Sequence, residues 1–536
     1  MGEAKAELDG GPGPVPLPGD AGEGSGAAAD ASADERTGRR PAGGRLWRLL
    51  LGPCLFGLML LWGPGDDPRI GRMAGVAAWM AAWWVTEAVP IPATALLPLV
   101  LMPALGIAPV KEVGPNYGRS VIFLFLGGFL LALALQASGV HRRVALWILA
   151  AVGDRPRRLV LGFMLASASL SMWISNTATV MVLLPIALSV LAACPDRGGG
   201  AGRRRFGVAV MLGVAYAADI GGMATPVGTP PNLAYVRQLT LLFPTAPAPS
   251  FGEWMLLGLP LAAAFLGGGW LLLTRVALPL GSGALLGEGD AVAALRAELG
   301  PLRRDEVMSA GMFGLTALLW MTRGSARVPG WSRLGLFEPG YVDDACVAVA
   351  TALLCFLIPS RDRPGERLLE WRMAREVPWG MLLLFGGGFA LASGFKSSGL
   401  SAYVGRGLAE LEGVPPLAVV FLVSSVLTLL TELTSNTATT EMVLPILGAA
   451  GVALRADPRL LMLPATLSAS CAFMMPVASP TQAIVFASGW VSMKDMVRAG
   501  IWFNLLGVLL VTFFFWLLAG PAMGIDAAGL PPWAGR

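Results

Sequence analysis

Two short polar runs, Ser175-Asn176-Thr177-Ala178-Thr179 and Ser435-Asn436-Thr437-Ala438-Thr439, interrupt long apolar stretches. Each offers hydroxyls, a carboxamide and backbone groups but no charge. Each is followed by a second irregular stretch, Gly221-Gly222-Met223-Ala224-Thr225-Pro226-Val227-Gly228-Thr229-Pro230-Pro231-Asn232 in one case and Met475-Pro476-Val477-Ala478-Ser479-Pro480-Thr481-Gln482 in the other. Oxygen donors of this kind suit a hard alkali cation. The same segments open helices, whose N-terminal amides and dipole ends attract carboxylates by about 0.3–1 kcal/mol each. No lysine or arginine occurs in either tip or either loop. Burying a dianion here without compensation would cost many kcal/mol, so the positive charge must be brought in, and sodium ions are its natural source. Cation and anion then each improve the binding of the other.

The elements that position these runs belong in a bilayer. Of 536 residues, 55% are hydrophobic and only 14% charged, and the mean hydropathy is +0.65, far more apolar than a soluble domain. The apolar runs are too long for barrel strands, so the chain reads as an all-α polytopic membrane protein. Plain spans are expected near 46–62, 73–87, 92–107, 120–137, 253–279, 307–322, 343–358, 379–395 and 500–519. Around the polar runs, 159–192 and 417–452 each divide into two apolar arms. An arm of ~15 residues covers only ~22 Å, short of a ~30 Å hydrocarbon core, so each pair reads as a re-entrant hairpin. The Pro- and Gly-rich stretches predict broken helices over 207–242 and 460–490, because proline removes a donor and glycine permits unusual dihedrals.

The two polar tips lie 260 residues apart (436 − 176), and Phe125-Leu126-Gly127-Gly128-Phe129 keeps that interval to Phe385-Gly386-Gly387-Gly388-Phe389. A duplication follows: a first half at 45–280, a linker at 281–306 on the cytoplasmic side, a second half at 307–520 and a short tail at 521–536. Residues 1–44, almost free of large apolar side chains, read as a disordered tail. The arginine clusters fall on one side of the counted spans, which places the N-terminus in the cytoplasm and the C-terminus outside, with the two halves inverted. Inverted repeats with discontinuous helices are the architecture of secondary transporters.

Other residues exclude alternatives. With His141 the only histidine, histidine triads and multi-histidine metal sites are ruled out, and no nucleophile with a base stands at membrane depth, so the chain is expected to be no enzyme. A net charge of +4 argues against nucleic acid. The five cysteines are scattered without metal spacing. Glu87, Glu432, Glu441 and Asp219 lie in or beside apolar segments, where an ionisable group is a functional candidate; a role in capping or orienting helices is expected. The arginine clusters are expected to be interfacial, Gly127-Gly128 and Gly386 to Gly388 to be close helix contacts, and Trp47, Trp62, Trp83 and Trp84 to anchor the interface.

At the Ser-Asn-Thr signatures and the Thr-Pro-Val-Gly-Thr-Pro-Pro-Asn stretch, from about residue 45 to 520, the chain resembles the divalent anion/sodium symporter family, INDY-type carriers of succinate, malate, citrate and related anions. The resemblance implies an eleven-span homodimer in the plasma (inner) membrane with a transport domain moving as an elevator, sodium as the co-transported ion and no organic cofactor. It implies one sodium site at Ser171, Ser175, Asn176 and Gly228 and another at Thr431, Thr434, Asn436 and Ala478. Substrate carboxylates would meet Asn176, Thr177, Thr229, Asn436, Thr437, Ser479 and Pro480. Sodium-coupled uptake of C4-dicarboxylates (succinate, malate, fumarate) or related di- and tricarboxylates is the function implied. The alternatives left open are sodium-independent exchange, inorganic-anion (sulfate) transport and proton-coupled antiport.

Overall fold

The computed structural model describes residues 43–534 apart from 64–66, 154, 195–200, 282–290, 325–329, 335–336, 339–340, 402, 404–414 and 527–528. The tail expected at 1–44 therefore lies almost wholly outside the described residues, as does the first part, 282–290, of the linker expected at 281–306. Among the described residues the chain is helical, with a single isolated β-bridge, Pro359 to Arg367.

In chain order the longer helices are α1 (Gly43–Trp62), α2 (Pro68–Thr86), α3 (Leu97–Ala104), α4 (Ser120–Ser138), α5 (Val140–Val152), α6 (Pro156–Ser171), α7 (Asn176–Ala192), α8 (Ala201–Gly222), α9 (Pro230–Leu242) and α10 (Phe251–Leu271). There follow α11 (Arg304–Thr322), α12 (Asp344–Leu357), α13 (Trp379–Ser397), α14 (Pro416–Thr431), α15 (Asn436–Ala453), α16 (Arg459–Ala469), α17 (Pro480–Ala487) and α18 (Met493–Met523). Among the described residues, five helical stretches are long and apolar enough to cross a membrane: Val110–Ser138, Gly202–Gly222, Phe251–Ala277, Trp379–Ser397 and Met493–Met523. On α18, Leu505, Leu509, Phe513 and Trp516 form an exposed apolar face of the kind that lipid covers.

Both expected hairpins and both broken helices are present. The hairpins are α6 with α7 and α14 with α15, turning at 172–175 and 432–435. The arms α6 and α14 have 16 residues each, about 24 Å of helix. The broken helices are α8 and α9, separated by 223–229, and α16 and α17, separated by 470–479. Packing follows the duplication: α6 lies on α8 and α14 on α16, while beyond each loop the half-helix crosses to the other repeat, α9 onto α15 and α17 onto α7 and α8. The two loops are thereby brought to one place.

Four expectations need correction. The span expected at 92–107 is split into Ile91–Thr94 and α3, because Pro92, Pro98 and Pro103 cannot donate along a continuous helix. Helix α5, not expected, is amphipathic: Ala145, Leu146 and Leu149 are buried. Its Arg143 is not interfacial but buried, 2.9 Å from Glu306 and donating to the carbonyls of Leu299, Gly300 and Pro301, so it satisfies a helix-free stretch of backbone. Trp84 is a core residue, 1% exposed, whose Nε1 donates to Ile91 O, whereas Trp47 and Trp62 are exposed.

The expected glycine contacts are observed at Gly127, against Ala348, and at Gly387, against Ala95, where a Cβ would strike backbone. Gly128 instead faces open space.

Candidate functional site

The backbone of the two tips and the two loops is nearly the same. Ser175 and Ser435 precede α7 and α15 with φ, ψ of −59°, 146° and −64°, 128°. Thr229 and Ser479 precede α9 and α17 at −145°, 144° and −148°, 144°. Each pair ends a non-helical stretch and opens a helix, so two duplicated sequences generate four helix N-termini.

These segments line one cavity of about 560 Å³. Asn176, Thr177, Thr229, Asn436, Thr437, Ser479 and Pro480 all line it, as do Ser175, Gly228 and Ala478. Phe125 and Phe129 of α4 and Met381 and Leu384 of α13 supply apolar walls. Among the described lining residues none is lysine or arginine, and the charged ones, Glu87 and Asp219, are acidic.

Around the first tip, Ser171 Oγ donates to Asn176 Oδ1 at 2.6 Å. A Cβ at Gly222 would lie 3.0 Å from that Oδ1 and 3.1 Å from Gly228 O, so the two oxygens and the Ser171 hydroxyl converge beside a position where a side chain would be tight. Ser175 Oγ caps its helix, accepting from Ala178 N–H at 3.3 Å. Around the second tip, Thr431 Oγ1 stands 2.5 Å from Asn436 Oδ1 and donates to Ala469 O at 2.9 Å. Thr434, by contrast, is turned toward its own helix: Oγ1 reaches Leu430 O at 2.9 Å and Thr439 Oγ1 at 2.5 Å.

Several residues that hold the site were not singled out from sequence. Asn232 Nδ2 donates to Gly222 O at 3.0 Å and Thr225 O at 2.8 Å, and Gln482 Nε2 donates to Ala472 O. Each amide side chain thus braces the two ends of its own loop; a signal existed, since both stand three residues after Thr229 and Ser479. Thr481 and Gly222 were likewise missed.

The four acidic residues divide. Glu87 closes α2 in the left-handed region, φ 46°. Glu432 accepts from the backbone N–H groups of Phe473, Met474 and Met475 at 2.6–3.0 Å and from Asn504 Nδ2 at 2.6 Å, so it orients the second loop as expected. Glu441 pairs with the buried Arg237 of α9 and accepts from Gln238 Nε2 at 3.0 Å. The Arg237 guanidinium lies 4.9 Å and 4.6 Å from the ring centroids of Phe385 and Phe389 on α13, a cation–π arrangement. Asp219 accepts from Asn176 Nδ2 at 3.0 Å and from Ser479 and Thr481.

Two solved structures share this architecture. The Alcanivorax borkumensis YdaH transporter, described as having an unusual topology, matches with a TM-score of 0.55 at 15% identity over 89% of this chain and 99% of that one. Neisseria gonorrhoeae MtrF, described within a class of antimetabolite efflux pumps, matches at 0.59 and 12% over 94% and 99%. At these identities the likeness is one of fold. In sequence, the sodium-dependent dicarboxylate transporter SdcS of Staphylococcus saprophyticus is 39% identical over 491 residues, 90% of this chain and 93% of that protein. The protein of the same name from Staphylococcus aureus strain NCTC 8325 is 39% identical over 492. With residues 53–520 matching the sodium:sulfate symporter transmembrane region, the chain belongs to that family, the divalent anion/sodium symporters.

Proposed function

We propose that this protein is a sodium-coupled symporter of C4-dicarboxylates such as succinate, malate and fumarate, and not an enzyme. The observation that carries the reading is the single cavity where both Ser-Asn-Thr tips and both broken loops meet without a lysine or arginine among the described lining residues. Two separate sets of uncharged donors, one per half, fit a ligand with two carboxylates better than a single tetrahedral anion such as sulfate. Its charge then needs mobile cations, and the oxygens at each tip are chemically suited to sodium. The relatives' printed name, sodium-dependent dicarboxylate transporter, supports the same ligand and the same ion.

Within this reading the first sodium site is formed by Ser171, Asn176 and Gly228, with Ser175 beside it, and the second by Thr431, Asn436 and Ala478, with Thr434 contributing only after its hydroxyl turns. Asn176, Thr177, Thr229, Asn436, Thr437, Ser479 and Pro480 receive the carboxylates through side chains and helix N-termini. The family resemblance extends the proposal to eleven spans, inverted halves at 45–280 and 307–520, an N-terminus in the cytoplasm, a homodimer in the plasma membrane and an elevator-type movement.

Purified protein in proteoliposomes tests it. Labelled succinate is expected to accumulate with an inward sodium gradient and not with choline, and unlabelled malate and fumarate should compete better than sulfate. Accumulation that depends only on a counter-substrate would replace symport by exchange, and uptake of sulfate alone would overturn the dicarboxylate assignment.

A further inference from the structure

Asp219 is the point at the site where the halves differ most in charge. It stands on the last turn of α8, lines the cavity and is 2% exposed. Its carboxylate accepts from Asn176 Nδ2 at 3.0 Å, from Ser479 Oγ at 3.2 Å and from Thr481 Oγ1 at 3.0 Å. The donors come from both repeats: Asn176 from the first tip, Ser479 and Thr481 from the second loop. Thr229 and Ser479 are related by 250 residues, as are Asn232 and Gln482; the same interval takes Asp219 to Ala469 (469 − 219). The second half therefore has no counterpart.

A carboxylate that is charged in a cavity meant for a dianion is costly twice over, through its own desolvation and through repulsion of the ligand. Uncharged donors offset only part of this. They also occupy the Ser479 hydroxyl, which faces the same cavity. A cation seated against the carboxylate removes both costs: it neutralises the charge, and it is ligated by the free lone pairs of Ser479 Oγ and Thr481 Oγ1 while their protons become available elsewhere. We propose that Asp219, Ser479 and Thr481 hold a monovalent cation at the seam between the two halves, in addition to the ions at the two tips.

The inference rests on the transport reading above and deepens it. The cation has two possible sources with one chemistry. It is either a further alkali ion or the ammonium group of an amino-dicarboxylate, such as aspartate, whose carboxylates occupy the cradles. The consequences separate them. Two sodium ions with succinate make a neutral turnover; a third makes each turnover carry one positive charge. An ammonium source leaves succinate transport neutral and makes aspartate a substrate.

The test compares wild type with Asp219→Asn in proteoliposomes, voltage being set by potassium and valinomycin, and reads the reversal potential of labelled succinate flux together with uptake of labelled L-aspartate. One expected result is a net positive charge per succinate in the wild type that is absent in Asp219→Asn. The other is neutral succinate transport in both, with aspartate uptake falling about tenfold or more relative to succinate uptake in the variant. Equal cation counts with unchanged succinate-to-aspartate selectivity overturn the proposal. Sodium-independent succinate uptake by the wild type would instead remove the transport reading beneath it. Thr481→Val, which keeps the carboxylate and deletes one ligand, covers the case in which Asp219→Asn does not fold. It should raise the half-saturating concentration of the cation source, sodium or aspartate, by about tenfold, the usual effect of one buried polar contact, and unchanged values there also overturn the proposal.

Discussion

The first and second cradles share a backbone but fasten it in opposite senses. In the first, the loop donates through a side chain to the tip's main chain: Thr225 Oγ1 reaches Met172 O at 2.6 Å. In the second, the loop donates through its main chain to a tip side chain, three consecutive amides converging on Glu432, which also accepts from Asn504 of α18. The residues that face the cavity, an asparagine and a threonine at each tip and a hydroxyl before each half-helix, are kept in both halves. A bound ion and ligand constrain what points into the cavity, whereas the fastening needs only that a polar end be satisfied, and a hydroxyl or a carboxylate can do so.

Removing the charge that is built into one side alone should have the largest effect. Arg237 and Glu441 join α9 of the first half to α15 of the second, and the positions related by the repeat intervals, Ala487 and Met181, carry no charge. Glu441→Gln leaves a buried guanidinium without its counter-ion, a change expected to cost about 3–5 kcal/mol and read as a fall in thermal unfolding temperature in detergent. Exchanging both partners for apolar residues of similar size, Arg237→Met with Glu441→Leu, should recover most of it. A double variant as unstable as the single one would mean that the pair is not what joins the halves there.

Next come the matched asparagines. Asn176→Ala and Asn436→Ala each remove a carboxamide that faces both the ion oxygens and the cavity. If the cradles are functionally equivalent, each should reduce sodium-driven succinate uptake by about a hundredfold, the equivalent of one charge-assisted contact, with the folded fraction unchanged by size-exclusion chromatography. A strong loss in one and near-normal uptake in the other would break the equivalence.

The sequence exposed the matched parts and hid the unmatched ones. Both hairpins, both tips and both loops were legible because a signature repeated at a fixed interval is unlike chance, and because proline and glycine mark where a helix must stop. The span near 92–107 was misread because its apolar run outweighed its three prolines. Helix α5 was hidden by arginines that looked interfacial until Glu306 and three carbonyls were found around Arg143. Two partners of Asp219, Ser479 and Thr481, lie 260 and 262 residues away in the chain, and those of Arg237 likewise belong to the other half. No local pattern announces such pairs; they follow from the crossing of α9 and α17 into the opposite repeat.

The fastenings give the smallest and sharpest contrast. Thr225→Val deletes one hydroxyl-to-carbonyl bond within the membrane-type interior, where such bonds average about 0.6 kcal/mol. Glu432→Gln replaces a charged acceptor of several N–H groups and should cost about 1.5–3 kcal/mol. Thermal unfolding of the two purified variants reads the difference directly. The fastenings lie behind the tips, so the first variant should keep near-normal sodium dependence, while the second should weaken substrate and sodium affinity together by loosening residues 473–475 ahead of Ala478 and Ser479. Equal stability losses would show that the carboxylate serves as no more than another hydrogen bond. A loss confined to Glu432→Gln would show that the second cradle depends on a charge for the backbone shape that the first attains with a hydroxyl.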